Sequence, residues 1–580
     1  MGSTPPNPSN FPNVGGPALP RNSHTILEHH MFLEILMKLS SCVLCLLGAA
    51  QSLFAAPTIT SVANAASNNT FNAPVAQGSV FVIKGSGLGP ANIAVSSAPF
   101  QNTNLNGTSV AVTVAGTTVN ALMYYTSDGQ VAALLPSNTP TGTGSFTVMY
   151  NGQTSNPASH GIAGSNFGIL TLDSSGQGPA IVTFPDFSLV SAAKAGNCGG
   201  PLTACGSANP GDTLTVWGTG LGPVNGNDAS GAGLGQNMPD IPLTVWLGGV
   251  KADVAYQGRS GCCVGEDQIV FKVPDNTPTG CAVPLVVQIG TNANTVSNTA
   301  VLPVAKGSRN CTASNPSLIT VEQGVMAGPV SFASLSLNKR FNSSGNGYQD
   351  IAHFQFQRIT GYNTGTQPFF ISYLDNPPPG TCVVYNSTNP GQNLPATGIS
   401  GLNAGSSFTI KGPNGSVTIP GSPGESRTTM NSSGAFLGPG TYTVTGAGGP
   451  DIGPFNASLT LPQPAVLSSP QNGPNFSVNR ANGLTVTWTG GDANSTVTIL
   501  VQAAIDQSLD TGATAGCFVA ANAGTFTIPP YVLLRLPSGP FTAFEFMPYG
   551  VRSTFTASGI DLGIIDSSND GTGFNGFSLN

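Results

Sequence analysis

Apolar and polar residues alternate over short stretches through most of the chain. Apolar side chains recur at every second position at Phe81 and Ile83, at Val110, Val112 and Val114, and at Leu243, Val245 and Leu247. A period of two puts alternate side chains on one buried face of a strand. Turn signals interrupt these runs about every ten residues, among them Pro140 and Pro278, each followed by Thr-Gly. The pattern predicts an all-β chain of antiparallel sandwiches. Farther along, "DIAHFQFQRIT" and "SSFTIKGPNGSVTIPG" alternate in the same way, and "GPGTYTVTGAGGPDIGPFNASLTLP" predicts hairpin strands ending near Pro462. After "PQPAVLSSPQNGP", a linker or domain opening, "LTVTWTGGD" and "GTFTIPPYVLLRLP" begin another β unit. The helix-like stretch "HTILEHHMFLEILMKL" lies near the N-terminus.

One strand pattern is written twice. "VFVIKGSGLGP" from Val80 matches "LTVWGTGLGP" from Leu214, aligning Gly78 with Gly211, Gly85 with Gly218, and Gly87-Leu88-Gly89-Pro90 with Gly220-Leu221-Gly222-Pro223. "TVAGTTVNA" then matches "WLGGVKADV", and "GQVAALLPSNTPTG" matches "DQIVFKVPDNTPTG". A repeat this long is one structural unit used twice. Its glycines are expected at tight corners after a strand, where a positive φ excludes a Cβ. The expected units are residues 56–163 and 164–311 for the two repeats, then β domains at 312–462 and 463–580.

The strand with "IKGSGLGP" resembles the IPT/TIG type of immunoglobulin-like domain. The paired arrangement, with "SGCCVGEDQIVFKVP" and "TPTGCAVPLVVQIG", is similar to a family of secreted bacterial proteins carrying tandem domains of this kind. The resemblance covers about residues 57–310. It implies extracellular β modules and no particular activity.

Composition narrows the picture. Charged residues are 7% of the chain, against roughly 25% in ordinary soluble proteins. The 75 glycines and 47 prolines could signal disorder, but 39% hydrophobic residues and a net charge of −7 do not fit it. A weakly acidic balance argues against nucleic acid and anionic lipid surfaces. From Met37, "MKLSSCVLCLLGAAQSLFAAPTIT" has a basic start, an apolar run and small residues, the three parts of a secretory signal. Cleavage is expected after Ala55, with residues 1–36 read as an upstream misassigned start. The apolar run is shorter than the ~20 residues that span a bilayer, and no later segment reaches that length, so no transmembrane span is expected.

Ten cysteines fit an oxidising compartment; Cys42 and Cys45 leave with the signal. Cys198 and Cys205 are expected to close a short loop. Cys262 and Cys263 are each expected to pair with Cys281 or Cys311, and Cys382 with Cys517, joining the last two domains. Zinc is not expected, because "CGGPLTAC" has the wrong spacing and no histidine nearby.

Candidate chemistry is sparse. A general base is most often histidine. His160 falls in the stretch between the repeats and His353 on the polar face of "IAHFQFQ", so both read as solvated. The mature glutamates are Glu266, Glu322, Glu425 and Glu545; the pair Glu266-Asp267 reads as a solvated loop. Asp561, Asp566 and Asp570 could hold calcium, although their spacing does not fit an EF-hand. No cofactor or metal is expected. Trp217 and Trp246 oppose buried aliphatics and should stand on outer faces, where the first repeat has Lys84 and Thr113; Trp488 belongs to the core. Outward aromatics suit stacking on a sugar or burial against a neighbouring domain. The expected function is that of a secreted or cell-surface multi-domain binding or structural protein of adhesion type, without catalysis. Its expected partners are polysaccharide or cell-envelope components. The alternatives are a carbohydrate-binding accessory protein and an extracellular glycan-acting enzyme using carboxylates.

Overall fold

The computed structural model describes residues 55–580 except 69–72, 99, 173, 193, 195–197, 229–234, 262, 291–294, 313–328, 343–346, 360–376, 388–397, 472–475, 507–510, 540 and 569–571. The expected signal and leader therefore lie outside the described residues. Almost all regular structure is strand.

The first repeat is a sandwich of two sheets. One runs through Thr58–Asn64, Val80–Ser86, Gln130–Leu134, Leu122–Thr126 and Ala94–Val95; the other through Val75–Ala76, Ala158–Ala163, Gly142–Tyr150, Thr108–Val114 and Thr117–Asn120. Phe81, Ile83, Val110, Val112 and Val114 meet in the core between them, as their alternation requires.

The second repeat reuses the same pairings. Ile83 faces Val131 in the first copy, and Val216 faces Ile269 in the second. Ala158–Ala163 runs parallel to a short strand at Val75–Ala76, and Val304 makes a parallel bridge to Ala208, the residue that matches Val75. Here, however, the strands join into one sheet. The ten-residue strand Val250–Arg259 pairs at one end with Leu243–Leu247 and at the other with Asp267–Lys272, its register shifting between Val254 and Tyr256. Both parts line a single core holding Leu214, Val216, Val245, Leu247 and Phe271.

The repeated glycines have two different causes. Gly87 and Gly220 have φ of 66° and 109°, left-handed values that favour glycine. Gly85 and Gly218 do not: a Cβ on them would lie 1.9 Å from the Thr58 carbonyl oxygen and 2.2 Å from that of Gly168. Close backbone approach, rather than a positive φ, excludes side chains there.

The expected boundary at 462 divides neither the cores nor the sheets: Phe555 and Ile565 join the core built mainly before it, and Cys382 and Val384 join the core built mainly after it. A four-stranded sheet (Gly415–Pro420, Ser407–Gly412, Gly440–Gly446, Phe455–Leu461) covers one core with Leu335, Phe354 and Phe356. A three-stranded sheet (Ala465–Ser469, Leu484–Gly490, Thr525–Ile528) covers another with Trp488, Ile499 and Phe546. One ten-stranded sheet backs both. In it Val330–Asn342, from before residue 462, lies parallel to Leu562–Ser568, and Thr381–Ser387 pairs with Gly512–Ala520. The two last domains are thus interwoven rather than serial, because the chain crosses between them several times. "PPYVLLRLP", read as β, contains a helix instead: Pro530–Leu534, with proline at its first position, where the missing N–H is not needed.

Candidate functional site: the outer faces and seams of the second repeat

Residues Ala56–Asn580 form one unit, and the second repeat makes contacts on both sides within it. Towards the first repeat, the link is Arg259. Its Nε donates to Asp267 at 2.7 Å, and its Nη2 donates to the carbonyls of Gly78 in the first repeat and Gly222 in the second, at 2.8 and 3.0 Å. Asp267 is 0% exposed and also accepts from the N–H groups of Gly220 and Leu221 at 2.7 and 2.8 Å. Burial pushes its carboxyl up, and the guanidinium and these N–H groups pull it back down. Asp228, 3.8 Å from Arg259, accepts from both the N–H and the hydroxyl of Ser137 in the first repeat. Thr219 Oγ1 accepts from the Val80 N–H at 2.9 Å. The glycine corner of the second copy is thereby tied to the first. Asp267 is a buried ion-pair partner, correcting the solvated loop expected for Glu266-Asp267; burial likewise pushes the Glu266 carboxyl up.

Towards the C-terminal half, the link is Trp246. It stands on the outer face of Leu243–Leu247, as the alternation predicts, but that face is covered. Its ring stacks on Tyr531 with centroids 4.8 Å apart, and its Nε1 donates to Gln288 Oε1 at 3.2 Å. Burial pushes the Tyr531 hydroxyl up to about 12. Val286 and Val296 join the C-terminal core alongside Trp246.

Trp217 is half-buried on the outer face of Thr213–Thr219. Its Nε1 donates to Thr183 Oγ1 at 3.0 Å, and the Phe187 ring lies 6.4 Å away. Phe187 is 55% exposed and Leu202 71%. The Leu202 N–H donates to the Phe187 carbonyl at 3.0 Å. Neither residue belongs to an alternating run, so alternation does not single them out. The available signal is an isolated leucine inside the "CGGPLTAC" loop.

Cys198 joins Cys205, and Cys382 joins Cys517, its direct cross-strand partner in the shared sheet. Cys281 joins Cys311, which corrects the expected pairing of each with Cys262 or Cys263. Cys281 lies in the strand Gly280–Ile289 and Cys311 beyond the end of its neighbour Ala300–Val304, with their Cα atoms 5.2 Å apart. Cys263 is itself disulfide-bonded, and Cys262 lies outside the described residues.

His160 is not in a linker. It lies in Ala158–Ala163, with Nε2 3.0 Å from the Ala73 carbonyl, and burial holds its pKa below the usual histidine range. His353 is partly exposed and meets Glu425 at 2.7 Å. Asp561 accepts from the Ser331 N–H at 2.7 Å, and Asp566 bonds Ser336, its neighbour in register; burial pushes the Asp566 carboxyl up. Asp570 lies outside the described residues. Among the described residues, no group of three or more His, Cys, Asp and Glu could hold a metal ion, and no helix is long and apolar enough to cross a membrane.

No family model and no curated protein matches the chain. Among solved structures it is similar to a protein of unknown function from Bacteroides thetaiotaomicron, at 10% identity and a TM-score of 0.14, over 54% of this chain and 59% of that one. It is also similar to the SGBP-B protein of a Bacteroides ovatus mixed-linkage glucan utilization locus, at 10% identity and a TM-score of 0.19, over 63% and 68%. Domains 5–6 of the S-layer protein SbsC match at 13% identity and a TM-score of 0.16, over 43% and 100%. Likenesses this slight fix neither family nor partner.

Proposed function

We propose that the chain acts outside the cell as a non-catalytic, rigid binding or structural module built on two IPT/TIG-type repeats. The observation that carries this reading is the double docking of the second repeat, through Arg259 to Gly78 and through Trp246 to Tyr531. Contacts of these kinds hold neighbouring units in one arrangement, which suits a scaffold that presents a surface. Disulfides at Cys198–Cys205, Cys281–Cys311 and Cys382–Cys517 support an oxidising setting. Small-angle scattering of residues 56–580 should fit a single rigid envelope, and mass spectrometry of exported protein should find an N-terminus at Ala56 or within a few residues. A chain that scatters as a flexible string, or that is recovered only from the cytoplasm, refutes the reading.

A further inference from the structure

The chain has three tryptophans. Trp488 is in a core and Trp246 lies against Tyr531, whereas Trp217 remains on an outer face with Phe187 beside it and Leu202 bonded to Phe187. We propose that Phe187, Leu202 and Trp217 form a platform that binds a neutral polysaccharide chain; this rests on reading the protein as an extracellular binding module.

The platform is held at a cost to the backbone. Phe187 and Leu202 have φ of 63° and 61°, left-handed values that bulky residues rarely adopt, yet their side chains are exposed instead of buried. Neither a core contact nor a turn preference accounts for large apolar residues there. Both tips are also fixed. Asp186 accepts from the N–H and hydroxyl of Ser188 at 3.0 and 2.6 Å and from the backbone of Gly200, tying the Phe187 turn to the loop that the Cys198–Cys205 disulfide closes. A surface fixed in advance loses little freedom on binding.

Charge selects the ligand. A sugar ring lays its C–H face on aromatic and aliphatic side chains and needs polar partners at the rim. Here the rim carries Asp186, exposed, and Gln268, paired in register with Trp217. The Asp186 carboxylate and a net charge of −7 disfavour acidic glycans and anionic lipids.

Because glycine favours these two φ values, Phe187→Gly and Leu202→Gly should leave the melting temperature unchanged or raised while removing the platform. Residues 56–580 are run in native gels containing a soluble neutral glucan or galactomannan, with alginate as the anionic control. The neutral polymer should retard the wild-type chain and alginate should not, and each variant should weaken retardation about two- to twelvefold. Four results overturn the proposal: no retardation by either neutral polymer, equal retardation by alginate, variants retarded like wild type, or a concentration-dependent dimer that Phe187→Gly abolishes. The scattering envelope does not depend on these side chains, so the rigid-scaffold reading stands or falls separately.

Discussion

Arg259→Met tests the lock between the repeats. The substitution leaves the carboxylates of Asp267 and Asp228, 0% and 5% exposed, without their cation, and leaves the carbonyls of Gly78 and Gly222 without that donor. Removing one partner of a buried pair costs roughly 3–5 kcal/mol, because the other charge stays buried and uncompensated. Methionine fills much of the vacated volume, so little is added by a cavity. A unit of 150–250 residues shifts its melting temperature by about 2–4 °C per kcal/mol, so calorimetry of residues 56–580 should show the repeat pair melting roughly 6–20 °C lower. Asp267→Asn should also destabilise, by stranding the guanidinium and weakening the hold on the Gly220 and Leu221 N–H groups. The double variant should cost clearly less than the two singles together, since the second change no longer breaks an ion pair. A loss below about 1 kcal/mol in Arg259→Met, or strict additivity in the double, would refute the reasoning that this pair is the lock.

Three other outcomes are expected. Trp246→Ala should lower stability by about 2–3 kcal/mol, less than a fully buried tryptophan, and speed hydrogen exchange in Pro530–Leu534; Thr113→Ala, at the matching place in the first repeat, should do neither. His160 is held below its ordinary pKa, so the unfolded chain binds its proton more readily; its contribution is present above about 6.5 and lost as pH falls through the folded value. Melting curves at neutral and acidic pH should therefore diverge less in His160→Gln, whose amide can still donate to Ala73. Replacing Cys382 and Cys517 together by alanine opens a loop of 135 residues and should cost about 4–5 kcal/mol on the loop-entropy model, read as a lower denaturant midpoint. An unchanged midpoint would mean that sheet pairing alone holds Thr381–Ser387 in place.

What the chain reveals before its fold is known follows from how local each signal is. Alternation is local, so the strands carrying Phe81, Val112 and Val245 and their core-facing residues can be read directly. The glycine corner can be read as a corner, but whether φ or backbone approach demands glycine depends on Thr58 and Gly168, both remote in sequence. The shared sheet is illegible for the same reason. Nothing near residue 330 says that its strand will lie beside 562, and a parallel pairing across such a distance leaves no local mark. Asp267 is misread because its partner Arg259 lies eight residues back across a hairpin, and Arg259 in turn reaches Gly78 in the other repeat.

The two copies nonetheless indicate where to look, through their differences. Three of the positions that change character between them are Lys84 against Trp217, Thr113 against Trp246, and Gly129 against Asp267. In the first copy Lys84 is exposed, Thr113 bonds only its neighbour across the hairpin, Thr118, at 2.8 Å, and Gly129 is exposed with only the Gly85 carbonyl oxygen, at 3.9 Å, near where a Cβ would stand. In the second copy the matching side chains reach outside their own strands: Asp267 into the inter-repeat lock, Trp246 onto Tyr531, and Trp217 to the turn bearing Phe187. The core-facing positions, by contrast, stay apolar in both copies, as with Ile83 and Val216 or Val112 and Val245. Duplication of a sandwich keeps the inner face under the packing constraint of a core and leaves the outer face free to acquire contacts. An unlike pair at matching outer positions therefore marks a gained contact, whether to a neighbour in the chain or to a partner outside it. Of the three, Trp217 is the one whose aromatic neighbour, Phe187, is still exposed to solvent.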